Sequence, residues 1–181
     1  MKKAAVIIFE NFEEMEAVAP IDILRRAGAE VVVATISGSL ETSGRSSLTI
    51  KADALFSDIS RETFDAIVIS GGPGTMNVAQ NPGLLEFIRR HNAQNKIIAA
   101  ICAAPVVLKN AGVLEGRECA CHTSKEKELA AYIKDTSLRV AASGNIITSK
   151  GAGTAAEFAL EIAKKLISPD AAKSVATSIC F

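Results

Sequence analysis

The amino-acid sequence predicts an α/β domain built on a mostly parallel sheet with helices on both faces. Continuous apolar runs of strand length alternate with amphipathic helical patterns along the whole chain, as in βαβ units. The apolar residues are chiefly Ala, Val, Ile and Leu, which suits strands buried on both faces. A chain of 181 residues can bury about 70 % of the surface that its unfolded form exposes. We therefore expect one domain over residues 1–181.

The first two predicted strands, residues 3–9 and 29–36, are apolar runs that flank one amphipathic helix. Asn11 can cap this helix, and two glutamates follow in its first turn, where the helix dipole favours negative charge. Gly28 marks the end of the helix, and Pro20 is a candidate for a kink within it.

The later elements follow the same alternation, with Gly or Pro at most of their ends. Residues 38–45 are predicted as a loop and residues 48–54 as a hairpin or edge strand. The remaining predicted strands are residues 64–70, 96–101, 118–122, 138–142 and 145–149. The remaining predicted helices are residues 82–92, a helix from 105 onward, 124–133, 151–166 and 169–180.

Charge and composition exclude several classes of function. The chain has 20 Lys and Arg residues and 20 Asp and Glu residues, so it has no excess of positive charge to attract nucleic acid or an anionic membrane. No apolar stretch approaches the roughly 20 residues of a membrane span, and the apolar run after Met1 is too short for a signal sequence. We expect a cytoplasmic protein whose four cysteines are reduced thiols. Cys119 and Cys121 have no second Cys/His pair at zinc-site spacing, so we expect no metal.

The most informative stretch is residues 96–105, where a buried strand runs directly into Cys102. Ala103, Ala104 and Pro105 follow, and a helical pattern begins at once, which is the layout of a nucleophile elbow. The unpaired amides of a helix start favour a thiolate or an oxyanion at this point. A buried structural cysteine at a strand end would leave the same pattern.

Two further groups are expected at the same edge of the sheet, because ligands bind outside the carboxyl ends of parallel strands. Glu16 lies on the otherwise apolar face of the first helix, so it must be protonated or hydrogen-bonded there. A protonated Glu16 could donate to the Cys102 sulfur and favour the thiolate. If the helix were rotated slightly, Glu16 would instead be solvated.

The chain has only two histidines. His122 follows a predicted strand and lies at the same edge as Cys102, either as an acid/base group or as a residue that merely satisfies a loop hydrogen bond. His91 lies at the opposite edge, where we expect a surface residue that stabilises a helix terminus.

Residues 151–156 formally match the dinucleotide fingerprint G-x-G-x-x-A, but they lie late in the chain rather than in a first βαβ unit. No acidic residue ends a following strand. We therefore expect no nucleotide.

Several motifs in order along nearly the whole chain resemble the ThiJ/PfpI superfamily, in the branch of the Parkinson-associated protein DJ-1 and the bacterial YajL and ThiJ-like proteins. Together they are specific, although each alone is weak. The motifs are Glu13-Glu14-Met15-Glu16, Gly71-Gly72, Ala99-Ala100-Ile101-Cys102-Ala103-Ala104-Pro105, His122, Thr148-Ser149-Lys150-Gly151-Ala152-Gly153-Thr154 and Glu157-Phe158-Ala159-Leu160.

The resemblance implies a flavodoxin-like sandwich of the class I glutamine amidotransferase-like type, a homodimer, and no metal or organic cofactor. It implies that Cys102 is the reactive cysteine, with Glu16 as its protonated partner and His122 nearby. The amides of Gly72 and Ala103 would form the oxyanion site. Family members are described as glyoxalases that act on methylglyoxal without glutathione, as deglycases of proteins or nucleotides, and as oxidative-stress chaperones.

The chain departs from the superfamily at informative positions. Ala103 stands where the peptidase branch has a histidine, so we do not expect a peptidase. A later His-x-Glu pair, which the glutamine amidotransferases need, is absent. An arginine often found near the dimer interface has only Arg45 as a candidate, one position out of register.

These observations lead to two hypotheses that use the same thiolate. The first is an enzyme in which Cys102 adds to a small dicarbonyl, or to its early adduct on a glycated protein or nucleotide, while Glu16 and His122 move protons. The second is a non-catalytic redox sensor or chaperone that acts through oxidation of Cys102.

Overall fold

A seven-stranded sheet forms the centre of the structure, a computed structural model that describes residues 1–181. The strands in chain order are β1 (Lys3–Ile8), β2 (Glu30–Thr35), β3 (Glu41–Ser43), β4 (Thr49–Lys51), β5 (Ala54–Leu55), β6 (Ala66–Ile69), β7 (Ile97–Ile101), β8 (Val140–Ser143) and β9 (Ile146–Ser149). The helices are α1 (Glu14–Arg26), α2 (Phe56–Ile59), α3 (Thr75–Val78), α4 (Pro82–Ala93), α5 (Pro105–Asn110), α6 (Ala155–Leu166) and α7 (Pro169–Ser178). Short 3-10 turns occupy Thr123–Lys125, Ala130–Tyr132 and Ala152–Thr154.

The strand order in the main sheet is β5-β2-β1-β6-β7-β9-β8, and only β8 runs antiparallel to its neighbour. The register places Ile7 beside Ile69, Ile69 beside Ala100, and Ala100 beside Thr148. The carboxyl ends of β1, β6, β7 and β9 are therefore level, and the segments that follow them meet at one edge.

Helices cover both faces of the sheet, as the sequence predicts. Helix α6 packs against α1, α7, β7 and β9, while α4 and α5 pack against each other and against β7. The central strands β1 and β6 are buried along almost their whole length, since each carries apolar side chains to both faces. No helix is long and apolar enough to cross a bilayer.

Two elements predicted after Cys102 are wrong. The segment 118–122 is extended but does not form a strand, because its amides bond singly to Tyr132, Thr148 and Cys102 rather than to one neighbouring strand. The predicted helix over residues 124–133 is replaced by two 3-10 turns. Its apolar side is too narrow for helix packing, since Leu129 is its one buried side chain.

Two boundaries near the chain start also differ from the prediction. Asn11 does not cap α1; its φ of 60° places it in a left-handed turn, and the helix begins at Glu14. The segment 48–54 divides, so that β4 pairs with β3 in a separate hairpin while Ala54 joins the edge of the main sheet. Part of the predicted loop 38–45 is therefore strand β3. Pro20 lies inside α1 without ending it.

His91 is buried in the core and is not the surface residue that the sequence predicts. Its ring lies 4.3 Å from that of Phe87, centroid to centroid. The Phe64 amide donates to Nε2 at 3.0 Å, and Nδ1 donates to the Phe87 carbonyl at 2.7 Å. Burial lowers the pKa of His91. The long-range contact with Phe64 decides this position, and the charged local sequence does not reveal it.

Candidate active site

Cys102 occupies a sharp turn at the end of β7. Its φ of 65° lies in the left-handed region, which a non-glycine residue adopts at a cost. Its amide donates to the Ser149 carbonyl at 2.9 Å, and its carbonyl accepts from the His122 amide at 2.9 Å. Helix α5 begins three residues later at Pro105. The backbone on both sides of the turn thus holds the side chain at the sheet edge, as expected of a nucleophile elbow.

Glu16 lies in the first turn of α1 and is only 1 % exposed, so the alternative of a solvated carboxylate does not occur. The Gly71 amide donates to its Oε2 at 2.9 Å. Burial raises the pKa of Glu16 to about 7, against the hydrogen bonds from Cys102 and from the amides of Gly71 and Ala152. The carboxyl group therefore holds a proton at pH values where an exposed glutamate has lost it.

Glu16 and Cys102 are hydrogen-bonded to each other and behave as a pair that shares one proton. Burial raises the pKa of Cys102, and a negative charge on Glu16 would raise it further. The amides of Gly72 and Ala103 bond to the sulfur and lower this pKa. A thiolate therefore forms here only while Glu16 keeps its proton, because two negative charges in contact are strongly disfavoured.

Glycine is required at position 71, where the backbone approaches this pair, while Gly151 lies within ordinary contact distance of it. A Cβ on Gly71 would lie 2.6 Å from both the Cys102 Cβ and the Glu16 Oε2. A Cβ on Gly151 would lie 3.6 Å from the Glu16 Oε1, 3.7 Å from the His122 Cδ2 and 4.0 Å from the Cys102 Cβ. The three predicted side chains thus surround one point beside Gly151.

His122 reaches this point from the segment that follows the core residue Cys121. Its Nδ1 accepts from the Ser124 amide at 3.2 Å and lies 2.9 Å from the Ser124 Oγ. Ser124 is not among the site residues that the sequence predicts. Its position two residues after His122 is a recognisable pattern, because a side chain can cap the amide two residues later.

A cavity of about 280 Å³ opens above the pair and brings together Cys102, His122 and the oxyanion candidates Gly72 and Ala103. Two cations stand at its rim. Arg45 lies 3.4 Å from the Glu13 carboxylate, and Lys125 lies 3.6 Å from the Glu128 carboxylate. The remaining lining residues are Pro73, Met76 and Ser124. The volume suits a ligand of a few heavy atoms whose reacting carbon meets the sulfur.

The other motifs lie outside this cavity. Cys119 and Cys121 are buried in the core, and Cys180 is exposed near the chain end. In the stretch 151–156, the Ala152 amide bonds to Glu16, so this glycine-rich turn holds the carboxyl group. No group of three or more His, Cys, Asp or Glu side chains is placed to hold a metal ion.

A family model for the DJ-1/PfpI family matches residues 2–165. The chain belongs to this family. It is 36 % identical over 182 residues to the Protein dj-1beta of Drosophila melanogaster, covering 98 % of this chain and 96 % of that one. It is 34 % identical over 182 residues to the glutathione-independent glyoxalase DJR-1.2 of Caenorhabditis elegans, covering 99 % and 97 %.

Solved structures of the family have the same fold. The oxidized DJ-1 of Toxoplasma gondii superposes with a TM-score of 0.96 at 36 % identity, covering 100 % of this chain and 99 % of that one. The DJ-1beta of Drosophila melanogaster superposes with a TM-score of 0.94 at 34 % identity, covering 99 % and 97 %. The predicted flavodoxin-like sandwich is thereby confirmed.

Glu16→Gln and Glu16→Leu test the shared proton. Glutamine keeps a donor to the sulfur and leucine does not, so alkylation of Cys102 by iodoacetamide should titrate about one pH unit lower in Glu16→Gln than in Glu16→Leu. The wild-type midpoint should lie near that of Glu16→Gln, because a protonated Glu16 adds a donor without adding charge. A wild-type midpoint far above both variants would show that the negative charge stays on Glu16.

Proposed function

We propose that the protein is a cofactor-free glyoxalase in which Cys102 acts on small 1,2-dicarbonyls such as methylglyoxal or glyoxal and yields 2-hydroxy acids. The observation that carries the proposal is the contact of buried Glu16 with Cys102 beside Gly71, beneath a small cavity that Gly72 and Ala103 also line. A relative 34 % identical to this chain that bears the name glutathione-independent glyoxalase supports it.

In the first step the Cys102 thiolate attacks the aldehyde carbon, and the C=O π pair moves to the oxygen. The amides of Gly72 and Ala103, which face the sulfur before substrate enters, are placed to donate to this developing oxyanion. Protonation of the oxygen gives a hemithioacetal. The thiolate charge is consumed as the C–S bond forms.

In the second step Glu16 moves a proton between the two carbons of the adduct. Once it has given its proton to the hemithioacetal oxygen, the carboxylate removes the hydrogen from the former aldehyde carbon, and the freed electron pair forms a C=C bond as the neighbouring carbonyl becomes an enediolate oxygen. Glu16 returns this proton to the neighbouring carbon, while the hydroxyl proton on the former aldehyde carbon moves to the enediolate oxygen and leaves a C=O bond. A pKa of about 7 suits a group that must both accept and release a proton near neutrality. The product is a thioester between Cys102 and the 2-hydroxy acid. Water cleaves it, so methylglyoxal plus water gives lactate, and the thiol is restored.

The same chemistry extends to early glycation adducts of a protein or nucleotide, in which the dicarbonyl is already joined to an amine or thiol. Attack by Cys102 on the carbinol carbon of such an adduct would form a C–S bond and break the bond to the amine or thiol, which leaves with the proton of Glu16. The hemithioacetal on Cys102 would then rearrange to the same thioester. We propose this deglycase activity as a variant of the first reaction, because the cavity opens to solvent. We do not extend the proposal to peptide cleavage, since Ala103 supplies no base beside the nucleophile; a Bacillus subtilis relative, 32 % identical, is named putative cysteine protease YraA.

Four free cysteines suit a reducing compartment, and we propose that the reaction takes place in the cytoplasm.

Wild-type protein should convert methylglyoxal to lactate without glutathione, and Cys102→Ser should lower kcat/KM at least about 10³-fold, because a serine hydroxyl is a far weaker nucleophile than a thiolate. Lactate is measured with a stereospecific lactate dehydrogenase assay. Cys180→Ser is the matched control, since Cys180 is exposed and away from the cavity. Full turnover of methylglyoxal by Cys102→Ser would contradict the proposal.

A redox sensor or oxidative-stress chaperone is the second candidate. The observation in its favour is that Cys102 is partly exposed beside a carboxyl group that can donate to oxygen atoms on the sulfur. A relative with a TM-score of 0.96 has been solved in an oxidized form. A peroxide would add one oxygen to the thiolate to give a sulfenate, and a second peroxide would give a sulfinate.

Mild peroxide treatment should add two oxygen atoms to Cys102 before any other cysteine reacts, as read from intact mass and peptide mapping. Cys180 provides an internal comparison, because it is more exposed than Cys102. If Cys180 is oxidised as fast as Cys102, the site has no special redox chemistry and this candidate is removed.

We further propose that two copies of the chain join through one apolar face. Four exposed apolar side chains converge on a groove of about 640 Å³ beside α1, namely Met15, Val18, Leu48 and Phe181. The Oε2 of Glu14 is buried on the same face without a hydrogen-bond partner. An apolar concentration of this kind marks a protein-protein contact, and the family resemblance makes a second copy the occupant.

Light scattering should give the mass of a dimer, and Leu48→Glu should shift it to the monomer because a charge would be buried in the contact. Leu40→Glu is the control, since Leu40 is also an exposed leucine but lies outside the groove. A monomer mass for the wild type contradicts the proposal.

A further inference from the structure

The two histidines of the chain are held in opposite tautomers by backbone groups. At His91 the Phe64 amide can only donate, so Nε2 must accept, and the Phe87 carbonyl can only accept, so Nδ1 must carry the proton. His91 is therefore the Nδ1–H tautomer.

At His122 the arrangement is reversed. The Ser124 amide donates to Nδ1 at 3.2 Å, and the Ser124 hydroxyl lies 2.9 Å from the same nitrogen. An amide N–H has no acceptor capacity, so Nδ1 must present its lone pair. Since a neutral imidazole carries one ring proton, that proton is on Nε2.

The ring of His122 lies beside the reacting groups on the side opposite Nδ1. Its Cδ2 atom, which is bonded to Nε2, lies 3.7 Å from the point where a Cβ on Gly151 would stand. The same point is 3.6 Å from the Glu16 Oε1 and 4.0 Å from the Cys102 Cβ. The main chain of His122 is tied to the same corner, because its amide donates to the Cys102 carbonyl at 2.9 Å.

We infer that Ser124 is a positioning residue that fixes His122 as the Nε2–H tautomer, so that the neutral ring offers a hydrogen-bond donor, and not a base, to the substrate oxygen. This inference rests on the proposed glyoxalase function and gives His122 and Glu16 different roles within it. His122 stabilises the negative oxygen of the adduct and keeps its own proton, as a neutral imidazole can act as an electrophile toward a carbonyl. Glu16 alone carries the proton between the two carbons.

The wild-type protein tests the tautomer without any substrate. In protein labelled with ¹⁵N-histidine, long-range ¹H–¹⁵N spectra should show one ring protonated at Nε2 and one at Nδ1. His91→Gln should remove the Nδ1–H signals, and His122→Gln should remove the Nε2–H signals. A wild-type His122 protonated at Nδ1 overturns the inference, whether or not methylglyoxal is turned over.

Substitutions at Ser124 test the consequence. Ser124→Pro removes the amide proton, so His122 should lose its single tautomer and kcat should fall about 10- to 100-fold, as for other groups that orient a functional histidine. The fall in kcat should exceed any change in KM, since Cys102 and the amides of Gly72 and Ala103 are kept. Ser124→Thr keeps both donors, so its His122 should still be the Nε2–H tautomer in the same spectra.

Thr123→Pro is the matched control. It places proline one residue earlier, at the first position of the 3-10 turn, where proline is tolerated, and it leaves the Ser124 amide in place. His122 has a ψ of 142°, which a residue before proline readily adopts. If Thr123→Pro lowers kcat as much as Ser124→Pro, backbone strain explains the loss and the inference fails. If Ser124→Pro does not fold, the tautomer of His122 in the wild-type spectra decides whether the inference holds.

Discussion

The proton shared by Glu16 and Cys102 is the interaction on which the site depends. Neither group would be reactive in isolation: a buried thiol does not ionise near neutrality, and a buried carboxylate lacks solvation. In contact, the protonation of one permits the ionisation of the other. The amides of Gly72 and Ala103 add fixed positive dipoles at the sulfur, so the backbone favours the form in which Cys102 is a thiolate and Glu16 is protonated. A metal or cofactor is not needed for this kind of activation.

The contact between these two side chains is a product of sheet register. Glu16 comes from the helix after β1, Gly71 follows β6, Cys102 follows β7, and Gly151 follows β9. These strands end at the same level, so groups more than a hundred residues apart in the chain meet within a few ångströms. A one-residue shift of β7 against β6 would turn its side chains to the other face and move Cys102 away from Gly71.

The parts of this site that local sequence pattern could reveal are those set by local physics. Cys102 is recognisable because an apolar strand, small residues and a proline surround it. Glu16 is recognisable because it interrupts an apolar helical face. The burial of His91 is not, because its contact with Phe64 joins residues far apart in the chain. The structure of residues 118–133 is not, because their backbone bonds to several distant segments instead of repeating one pattern. Ser124 caps an irregular loop, which leaves no periodic signal.

The buried carboxyl group also affects how the whole fold responds to pH. Glu16 has a pKa of about 7 in the folded chain against 4.5 as its ordinary value, so the folded state binds this proton more tightly than the unfolded state. Its contribution to stability is greatest below pH 4.5 and declines as the pH rises to 7, a loss on the order of 3 kcal/mol. His91 acts in the opposite direction: its pKa is lowered, so its contribution is lost as the pH falls below about 6.5. Glu16, which the proposed chemistry needs, thus lowers the stability of the fold as the pH rises, and His91 lowers it as the pH falls.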